Sequence, residues 1–353
     1  MLIVDAHLDL GWNAIQWNRD LTQSVFTIRV QEAGVPGKGR ATNTVALPEM
    51  RRGGVGLCFA TLMGRSTGRP VHHVDFPSPA QTHGMAHSHM AYYRALAQMG
   101  EARIITDAAG LQAHVDEWLT AADTASLPVG FIISMESADA ILDPSQVDEF
   151  YAAGVRAIGP AHFGTGRYVG GTGVEEGFTS DGLRLLDAMQ SAGMVLDMTH
   201  LSDKAFWQAA ERIDGRVIAS HNNSRALVPH QRQFTDDQLK FVIEHDGVIG
   251  AALDCWMLKT GWIKDVTPRT GASLSDVVDH IDHICQLAGN AHHVGIGSDL
   301  DGGFGHEQTP HDLDTIADLP RIAELLHERG YSSDDIAAIM HGNWTRFLRD
   351  VLD

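Results

Sequence analysis

Short apolar runs alternate with helical patterns along the whole chain, and this alternation restricts the fold more than any other feature of the sequence. The runs are rich in β-branched residues and stay apolar from end to end, which indicates strands buried on both faces. The segments between them are long enough to return the chain to the same direction, as parallel pairing requires. The predicted strands are 2–6, 55–62, 130–135, 155–160, 194–198, 216–220, 248–253 and 294–298. Because eight parallel strands close a (β/α)8 TIM barrel, the sequence predicts this α/β fold.

Helical patterns fill most of the connections between these strands. They predict helices at 88–100, 107–120, 145–153, 181–192, 203–213, 235–245, 273–288 and 315–329, with a last helix at 334–350. Two connections, 13–50 and 63–87, show little periodicity, so we expect long loops over the carboxyl-end face of the barrel. With no repeat and no linker, we predict one domain over 1–353. The rival open doubly wound sheet would need a glycine-rich turn after its first strand, where this chain has AHLDL.

Charge and composition exclude several classes of partner. The chain has 26 basic and 45 acidic residues, a net charge of −19, which would repel nucleic acid and an anionic membrane surface. No stretch approaches the roughly 20 apolar residues of a membrane span, and the opening MLIVDAHLDLGW lacks the basic start of a signal peptide. The cysteines Cys58, Cys255 and Cys285 are far apart and fit buried, reduced thiols. We therefore expect a cytoplasmic protein.

Histidine is unusually frequent, with 20 in 353 residues, and several histidines and carboxylates directly follow predicted strands. In a barrel, the carboxyl ends of the strands are where catalytic groups collect. In extended geometry, residues one apart point to the same side, so the histidine and aspartate of DAHLDL can share a cation. The full set, from the motifs DAHLDL, FIISMES, VLDMTH, VIASH and GIGSDLDG, is His7, Asp9, Glu136, His200, His221 and Asp299.

These six residues supply three imidazoles and three carboxylates, a mixture suited to zinc or a similar divalent ion. Six groups are too many for one tetrahedral site, which favours two ions bridged by a carboxylate and a hydroxide. Each residue also has a plainer interpretation. The pair His7 and Asp9 could cap a turn, Glu136 could form a structural salt bridge, and a lone histidine is more often a hydrogen-bonded core residue.

Five motifs carry a resemblance to a known family. VDAHLDL, FIISMES, VLDMTHLSD, IASHNNSRAL and GIGSDLDG occur in that order over nearly the whole chain. The chain thereby resembles the membrane dipeptidase (renal dipeptidase) family, peptidase family M19, among the amidohydrolase-like barrels. The resemblance implies a (β/α)8 barrel with two zinc ions. It implies that His7 and Asp9 bind the first ion, that His200 and His221 bind the second, and that Glu136 bridges them.

The same resemblance implies roles around the substrate. His162 in GPAHFG matches the histidine that contacts the substrate carbonyl, and Asp299 matches the carboxylate that handles the proton. Arg232 in HQRQFTDD lies where the family has an arginine for the terminal carboxylate of the substrate. Arg225 is the reserve candidate for that task, and a solvated loop charge is the alternative for either arginine.

The implied activity is hydrolysis of dipeptides, including those with a C-terminal D-residue, by a hydroxide that bridges the two ions. The alternatives are another small amide, such as a cyclic imide or an N-acyl amino acid, or a non-catalytic metal-binding protein. The ending WTRFLRDVLD lacks the hydrophobic tail of lipid-anchored members, which favours a soluble bacterial-type enzyme. GAALDCWMLK leaves Asp254 and Trp256 as candidate pocket residues. The oligomeric state stays open, with a homodimer as one option.

The remaining histidines favour a simpler interpretation. Surface or loop positions are predicted for His72, His73, His83, His87, His89, His280, His283, His292 and His293. A third metal site in the His72–His89 cluster is the alternative.

Overall fold

In the computed structural model, which describes residues 1–69, 71 and 73–352, parallel strands form one sheet that curves into a barrel. The strands are β1 Ile3–Leu8, β2 Val55–Met63, β3 Ala102–Ile104, β4 Val129–Glu136, β5 Val155–Gly159, β6 Val195–Asp197, β7 Val217–Ile218, β8 Ile249–Ala251 and β9 Val294–Ile296. Their order is β7-β6-β5-β4-β2-β1-β9-β8. A parallel bridge between Ala219 and Ile249 joins the two ends of this order, and Gly250 N donates to Ala219 O at 2.8 Å. The predicted barrel of eight parallel strands is confirmed.

Strand β3 lies outside this ring because it pairs only with β4. The sequence did not predict it, since three residues that include Arg103 make no recognisable apolar run. Strand β7 is shorter than the predicted 216–220 and has two residues. The remaining strand predictions agree with the structure to within a few residues.

Helices surround the barrel. They are α1 Leu10–Ile15, α2 Val25–Gln31, α3 Leu47–Arg52, α4 Pro79–Gln98, α5 Ala108–Thr120, α6 Val147–Ala153, α7 Ser180–Ser191, α8 Asp203–Ala210, α9 Asp236–Glu244, α10 Cys255–Leu258, α11 Leu274–Ala288, α12 Pro320–Glu328, α13 Ser333–Ala337 and α14 Asn343–Leu352. Helix α4 begins earlier than predicted because Ser78 caps it and Pro79 occupies its first turn. The predicted last helix is divided by a π-helical turn, Ala338–Gly342, between α13 and α14.

The two long connections are more ordered than the sequence indicated. The segment 13–50 contains α2 and most of α3, and 63–87 contains the start of α4. The first connection is fixed to the loop that follows β9, because Asp301 accepts hydrogen bonds from Thr44 N at 2.7 Å and Val45 N at 3.0 Å. These bonds place Thr44 and Val45 beside the carboxyl end of β9. The prediction of irregular structure throughout the segment was wrong, because it contains helices. Its helices are too short to show a period in the sequence.

The burial of side chains tests the predictions for the cysteines and for two of the histidines. Cys58, Cys255 and Cys285 are buried and unpaired, as predicted. Two histidine predictions were wrong: His89 and His280 are buried in helices at 0% exposure, where each accepts a hydrogen bond from a backbone N–H, of Met63 and Ser224 respectively. His72 lies outside the described residues.

Among the residues that the structure describes, no helix has the length and apolarity needed to cross a bilayer. The cytoplasmic location, the single-domain organisation and the homodimer stay predictions.

Candidate active site

The six predicted site residues meet at one end of the barrel. His7 is the second-last residue of β1 and Asp9 directly follows that strand, while Glu136 is the last residue of β4. His200, His221 and Asp299 each come three residues after β6, β7 and β9. Exposure is only 1–6% for the five predicted ligands, and 16% for the side chain of Asp299. The structure therefore brings together residues that are distant in sequence, because parallel strands end at the same rim.

Glu136 is central to this cluster, and its two carboxylate oxygens face different histidines. Oε1 lies 3.2 Å from His200 Nε2 and 3.4 Å from His221 Nε2. Oε2 lies 3.7 Å from His7 Nε2, which in turn is 3.9 Å from Asp9 Oδ2 and from Asp299 Oδ1. One carboxylate thus divides the imidazoles into two groups.

Several buried atoms of the cluster make no hydrogen bond within the described chain. They are His7 Nε2, Asp9 Oδ1 and Glu136 Oε1, since the neighbours of these atoms lie outside hydrogen-bond geometry. Buried polar atoms are nearly always satisfied, so unpartnered ones that point at a common space require an explanation. Three overlapping groups of residues each have ligand atoms within 4.8 Å of one another. They are His7, His221 and Asp299; Glu136, His162 and His200; and His7, Asp9 and Glu136. Oxygen and nitrogen donors at such distances fit divalent metal ions.

The electrostatics of the cluster also fit a cation. Burial raises the pKa of Glu136 to about 8 and that of Asp299 to about 7, and the Asp9 carboxylate adds to both shifts. Burial lowers the pKa of His200 and His221 well below the ordinary value, which leaves both rings neutral. Neutral imidazoles are the form that binds metal, and a nearby cation would favour the ionised carboxylates.

Hydroxyl groups hold two of the imidazole rings from behind. Thr172 Oγ1 is 2.8 Å from His200 Nδ1, and Ser220 Oγ is 2.9 Å from His221 Nδ1. These contacts turn both Nε2 atoms towards Glu136, as the outer hydrogen bonds of metal-binding histidines do. Neither hydroxyl was identified from the sequence. Thr172 is 28 residues from His200, and Ser220 is next to His221 but belongs to no pattern that shows where its side chain points.

The backbone is strained at the same strand ends. Ser137, His200 and Asp299 have φ values of 66°, 67° and 57°, in the left-handed region that favours glycine. Non-glycine residues in this region are often concentrated at functional sites. Here they turn the chain sharply after β4, β6 and β9, which points the side chains into the mouth of the barrel.

A recessed pocket opens over the cluster. Its wall includes the predicted residues Asp254 and Trp256, together with residues that were not predicted: Trp12, Phe163, Met257, Lys264 and Gly302. Asp254 accepts hydrogen bonds from Trp256 Nε1 at 2.5 Å and from Gln308 Nε2 at 2.7 Å. Trp12 lies in the short helix α1 and Met257 in the single turn of α10, while Phe163, Lys264 and Gly302 lie in connections. None of these segments is long enough to show a period from which the inward side chains could be predicted.

The structure separates the two candidate arginines. Arg232 is 2% exposed and lines the pocket; its Nη2 donates to His221 O at 2.9 Å, and its Nη1 has no hydrogen-bond partner in the described chain. Arg225 instead forms a two-pronged ion pair with Asp203 at 2.7 and 2.8 Å and does not line the pocket. Arg225, the reserve candidate, therefore does not reach the pocket. The interpretation of Arg232 as a solvated loop charge is wrong, because Arg232 is buried.

His162 also lines the pocket, with its Nε2 atom 3.9 Å from Glu136 Oε2. Its other ring nitrogen, Nδ1, lies 2.6 Å from Nη1 of Arg65.

The barrel, the buried donor set and the recessed pocket together define a metal-dependent hydrolase of the TIM-barrel type.

Comparison with known proteins identifies the family. The family model described as membrane dipeptidase, peptidase family M19, matches residues 1–353. The chain therefore belongs to the membrane dipeptidase family, whose members are metallopeptidases that hydrolyse peptide bonds.

Individual relatives agree with this assignment. An uncharacterized protein in the pqqA 5' region of Klebsiella pneumoniae is 33% identical over 210 residues, which cover 57% of this chain and 74% of that protein. The dipeptidase tcpJ of Claviceps purpurea is 31% identical over 208 residues, covering 58% of this chain; the match spans about half of that relative, 46%. A metallopeptidase from Rhodobacter sphaeroides, solved with a phosphinate mimic of the dipeptide L-Ala-D-Ala, has a TM-score of 0.76 and 24% identity, with 99% of this chain and 98% of that one covered. The structural likeness supports the fold.

Proposed function

We propose that this chain is a zinc-dependent dipeptidase whose two ions share Glu136 as a bridging ligand. The observation that carries the proposal is the division of the Glu136 oxygens, with Oε2 towards His7 and Oε1 towards His200 and His221. His7 and Asp9 would hold one ion, and His200 and His221 the other. The unpartnered buried atoms of this set support the same assignment.

The residues around the ions divide the remaining work. When bound, the ions would lower the pKa of a water molecule towards neutrality and polarise the scissile carbonyl, which is the chemistry that metal pairs supply to hydrolases. Asp299 accepts a proton from the attacking water and delivers it to the leaving amine. His162 donates a hydrogen bond to the carbonyl oxygen as that oxygen gains negative charge.

Arg232 gives the pocket its preference for a free carboxylate. Its Nη1 is buried and unpartnered, so a carboxylate of the substrate would satisfy it through a charge-assisted hydrogen bond. An anchor for the terminal carboxylate this close to the cluster leaves room for one residue beyond the scissile bond. The dipeptide mimic bound to the Rhodobacter sphaeroides enzyme is consistent with this substrate class. We include substrates with a C-terminal D-residue, since the anchor itself makes little demand on chirality.

A substrate panel tests this proposal. Zinc-reconstituted enzyme is incubated with L-L and L-D dipeptides, N-acyl amino acids and cyclic imides, and product release is followed by amine detection and chromatography. We expect free amino acids from dipeptides and a rate at least tenfold lower on the other amides. Cleavage of only the N-acyl or cyclic substrates would show that the metal site hydrolyses another class of amide. No turnover of any substrate would favour a non-catalytic metal-binding protein.

The metal bridge has its own test. The wild-type protein should retain two zinc ions after desalting, measured by elemental analysis, whereas Glu136→Gln should lose at least one. Asp203→Asn is a matched control, because Asp203 pairs with Arg225 away from the pocket. Two tightly held ions in the Glu136→Gln protein would contradict the bridging role.

A further inference from the structure

Arg65 reaches the active site from a connection that the sequence marked only as a loop. It lies two residues after β2, and Nη1 of its side chain is 2.6 Å from His162 Nδ1. The side chain is 13% exposed. It does not line the pocket, so its contact with the site passes through His162.

The guanidinium of Arg65 is fixed on its other side. Its Nε donates to Asp75 Oδ2 at 3.0 Å, and the Asp75 side chain is 1% exposed. The same carboxylate accepts from Thr67 Oγ1 at 2.6 Å and from Thr67 N at 3.1 Å. Backbone hydrogen bonds from Arg65 N to Val74 O and from Phe76 N to Arg65 O complete the connection. Arg65 is thus held in place independently of His162.

The chemistry of this contact determines which nitrogen of His162 carries the proton. A guanidinium has only donors and stays charged in proteins, so the Nδ1 atom that faces it must accept. A protonated imidazole carries a hydrogen on both nitrogens, so a ring whose Nδ1 accepts from Arg65 is neutral. A neutral ring with a free lone pair on Nδ1 has its hydrogen on Nε2.

The other histidines of the pocket differ in this respect. His200 and His221 have hydroxyls at Nδ1, from Thr172 and Ser220, and a hydroxyl can accept a hydrogen bond from the ring. Their Nε2 atoms can therefore keep the lone pair that a metal ion needs. His162 Nε2 carries a hydrogen and has no lone pair for a metal ion. Its distance to Glu136 Oε2, 3.9 Å, equals the distance between the proposed ligand atoms His7 Nε2 and Asp9 Oδ2.

We propose that Arg65 is a positioning residue that fixes His162 as the Nε2–H tautomer, which makes His162 a hydrogen-bond donor to the reacting carbonyl instead of a further metal ligand. This inference rests on the proposed dipeptidase function and deepens it. Arg65 acts from behind the pocket wall and belongs to none of the strand-end motifs.

A double-mutant cycle on the zinc-loaded enzyme tests the proposal. His162→Ala should lower kcat on an L-D dipeptide by about 100-fold or more, the usual effect of losing one oxyanion donor. Arg65→Met should lower kcat by about 10- to 100-fold, with KM changed less than about threefold, because outer hydrogen-bond partners have effects of this size. The double variant should equal His162→Ala alone. Arg65→Lys should recover part of the rate, since an ammonium also only donates.

Two readouts separate positioning from a general structural effect. Arg65→Met should retain two zinc ions but bind a phosphinate dipeptide mimic more weakly, by the factor lost in kcat/KM. In the wild-type protein, ¹⁵N spectra should show His162 protonated at Nε2, and Arg65→Met should remove this preference. Arg167→Met is the matched control and should change none of these values, because the Arg167 guanidinium does not line the pocket and donates to the carbonyls of Ile141 and Leu142.

Different failures identify different errors. Additive effects in the double variant, unchanged inhibitor binding, or a proton on Nδ1 in the wild-type spectrum would each overturn the role of Arg65. If the wild-type enzyme leaves dipeptides intact while the spectrum shows Nε2–H, the proposed substrate is wrong and the tautomer assignment stands.

Discussion

The same barrel strands have an apolar part and a polar end, and the two regions differ in almost every physical respect. On β1, β4 and β7, the side chains of Val4, Ile132 and Ile218 belong to one buried apolar cluster that also contains Phe59 and Trp344. We call this set the interior cluster. A few residues further along the same strands lie His7, Glu136 and His221, where polar atoms are buried and partly unpartnered.

This difference shows how the molecule divides stability from chemistry. Burial of apolar side chains in the interior cluster stabilises the fold, at about 25 cal/mol for each Å² removed from water. At the strand ends, burial of carboxylates and strained backbone destabilises the metal-free fold, because unpartnered polar groups cost about 1–3 kcal/mol each. The interior cluster therefore holds the strand ends in an arrangement that they would not adopt by themselves.

The strongest test of this division is Asp299→Asn, which changes the polar end alone. We expect kcat to fall by about 100- to 10,000-fold, the usual contribution of a proton-transferring group. Zinc content and unfolding free energy should change little, since the amide keeps the shape of the side chain. Asp187→Asn, at an exposed ion pair with Arg212, is the control. Full turnover in the Asp299 variant would remove its assigned role.

The opposite test is Trp344→Ala, which changes the interior cluster alone. Trp344 is 0% exposed, its ring centroid lies 5.4 Å from that of Phe59, and its Nε1 donates to Ile296 O at 3.0 Å. We expect urea unfolding to show a loss of about 3–5 kcal/mol, with kcat of the folded protein unchanged. Trp207→Ala, at 42% exposure, should cost far less. A matching loss of kcat at low temperature would show that the two regions are coupled.

A smaller effect is expected at the boundary, where Thr172 supports His200. Thr172→Val removes the hydroxyl near Nδ1 and nearly preserves the volume of the side chain. We expect zinc affinity, measured by chelator competition, to fall by about 10- to 100-fold. Thr120→Val, on an exposed helix end, is the control. Unchanged affinity would mean that the ring is held by packing alone.

The smallest expected effect concerns pH and His280, a buried histidine of helix α11. Burial lowers the pKa of His280 from its ordinary 6.5 to about 4, so the unfolded chain binds the proton first. Its contribution to stability is complete above the unfolded value and is lost as pH falls from there towards 4. Between pH 8 and pH 5 the loss is about 2 kcal/mol, and His280→Gln should remove that part of the dependence. His292→Gln, at an exposed position, is the control; an identical slope in wild type and His280→Gln would contradict this.

The strand ends were predictable because burial on both faces leaves a strong signal. Continuous apolar runs mark the strands, and the first polar residues after them fall at the same rim in a parallel barrel. His7, Glu136, His200 and His221 follow from this rule. The helix predicted at 235–245 corresponds to α9, and the structure shows Thr235 and Gln238 forming a capping box at its start.

Other features had no local signal. The burial of His89 and His280 depends on which helix face meets the barrel, and helices α2 and α3 are too short for a visible period. Pocket residues such as Phe163 and Lys264 come from loops, whose side-chain directions depend on contacts with distant segments.

The sequence by itself determined the order of strands and helices and the types of donor available at the rim, since both depend on neighbouring residues along the chain. Only the tertiary structure decided that one carboxylate faces two groups of imidazoles, that Arg232 and not Arg225 enters the pocket, and that Arg65 meets His162. The physical reason is that these relations depend on atoms brought within about 4 Å by barrel closure and loop packing.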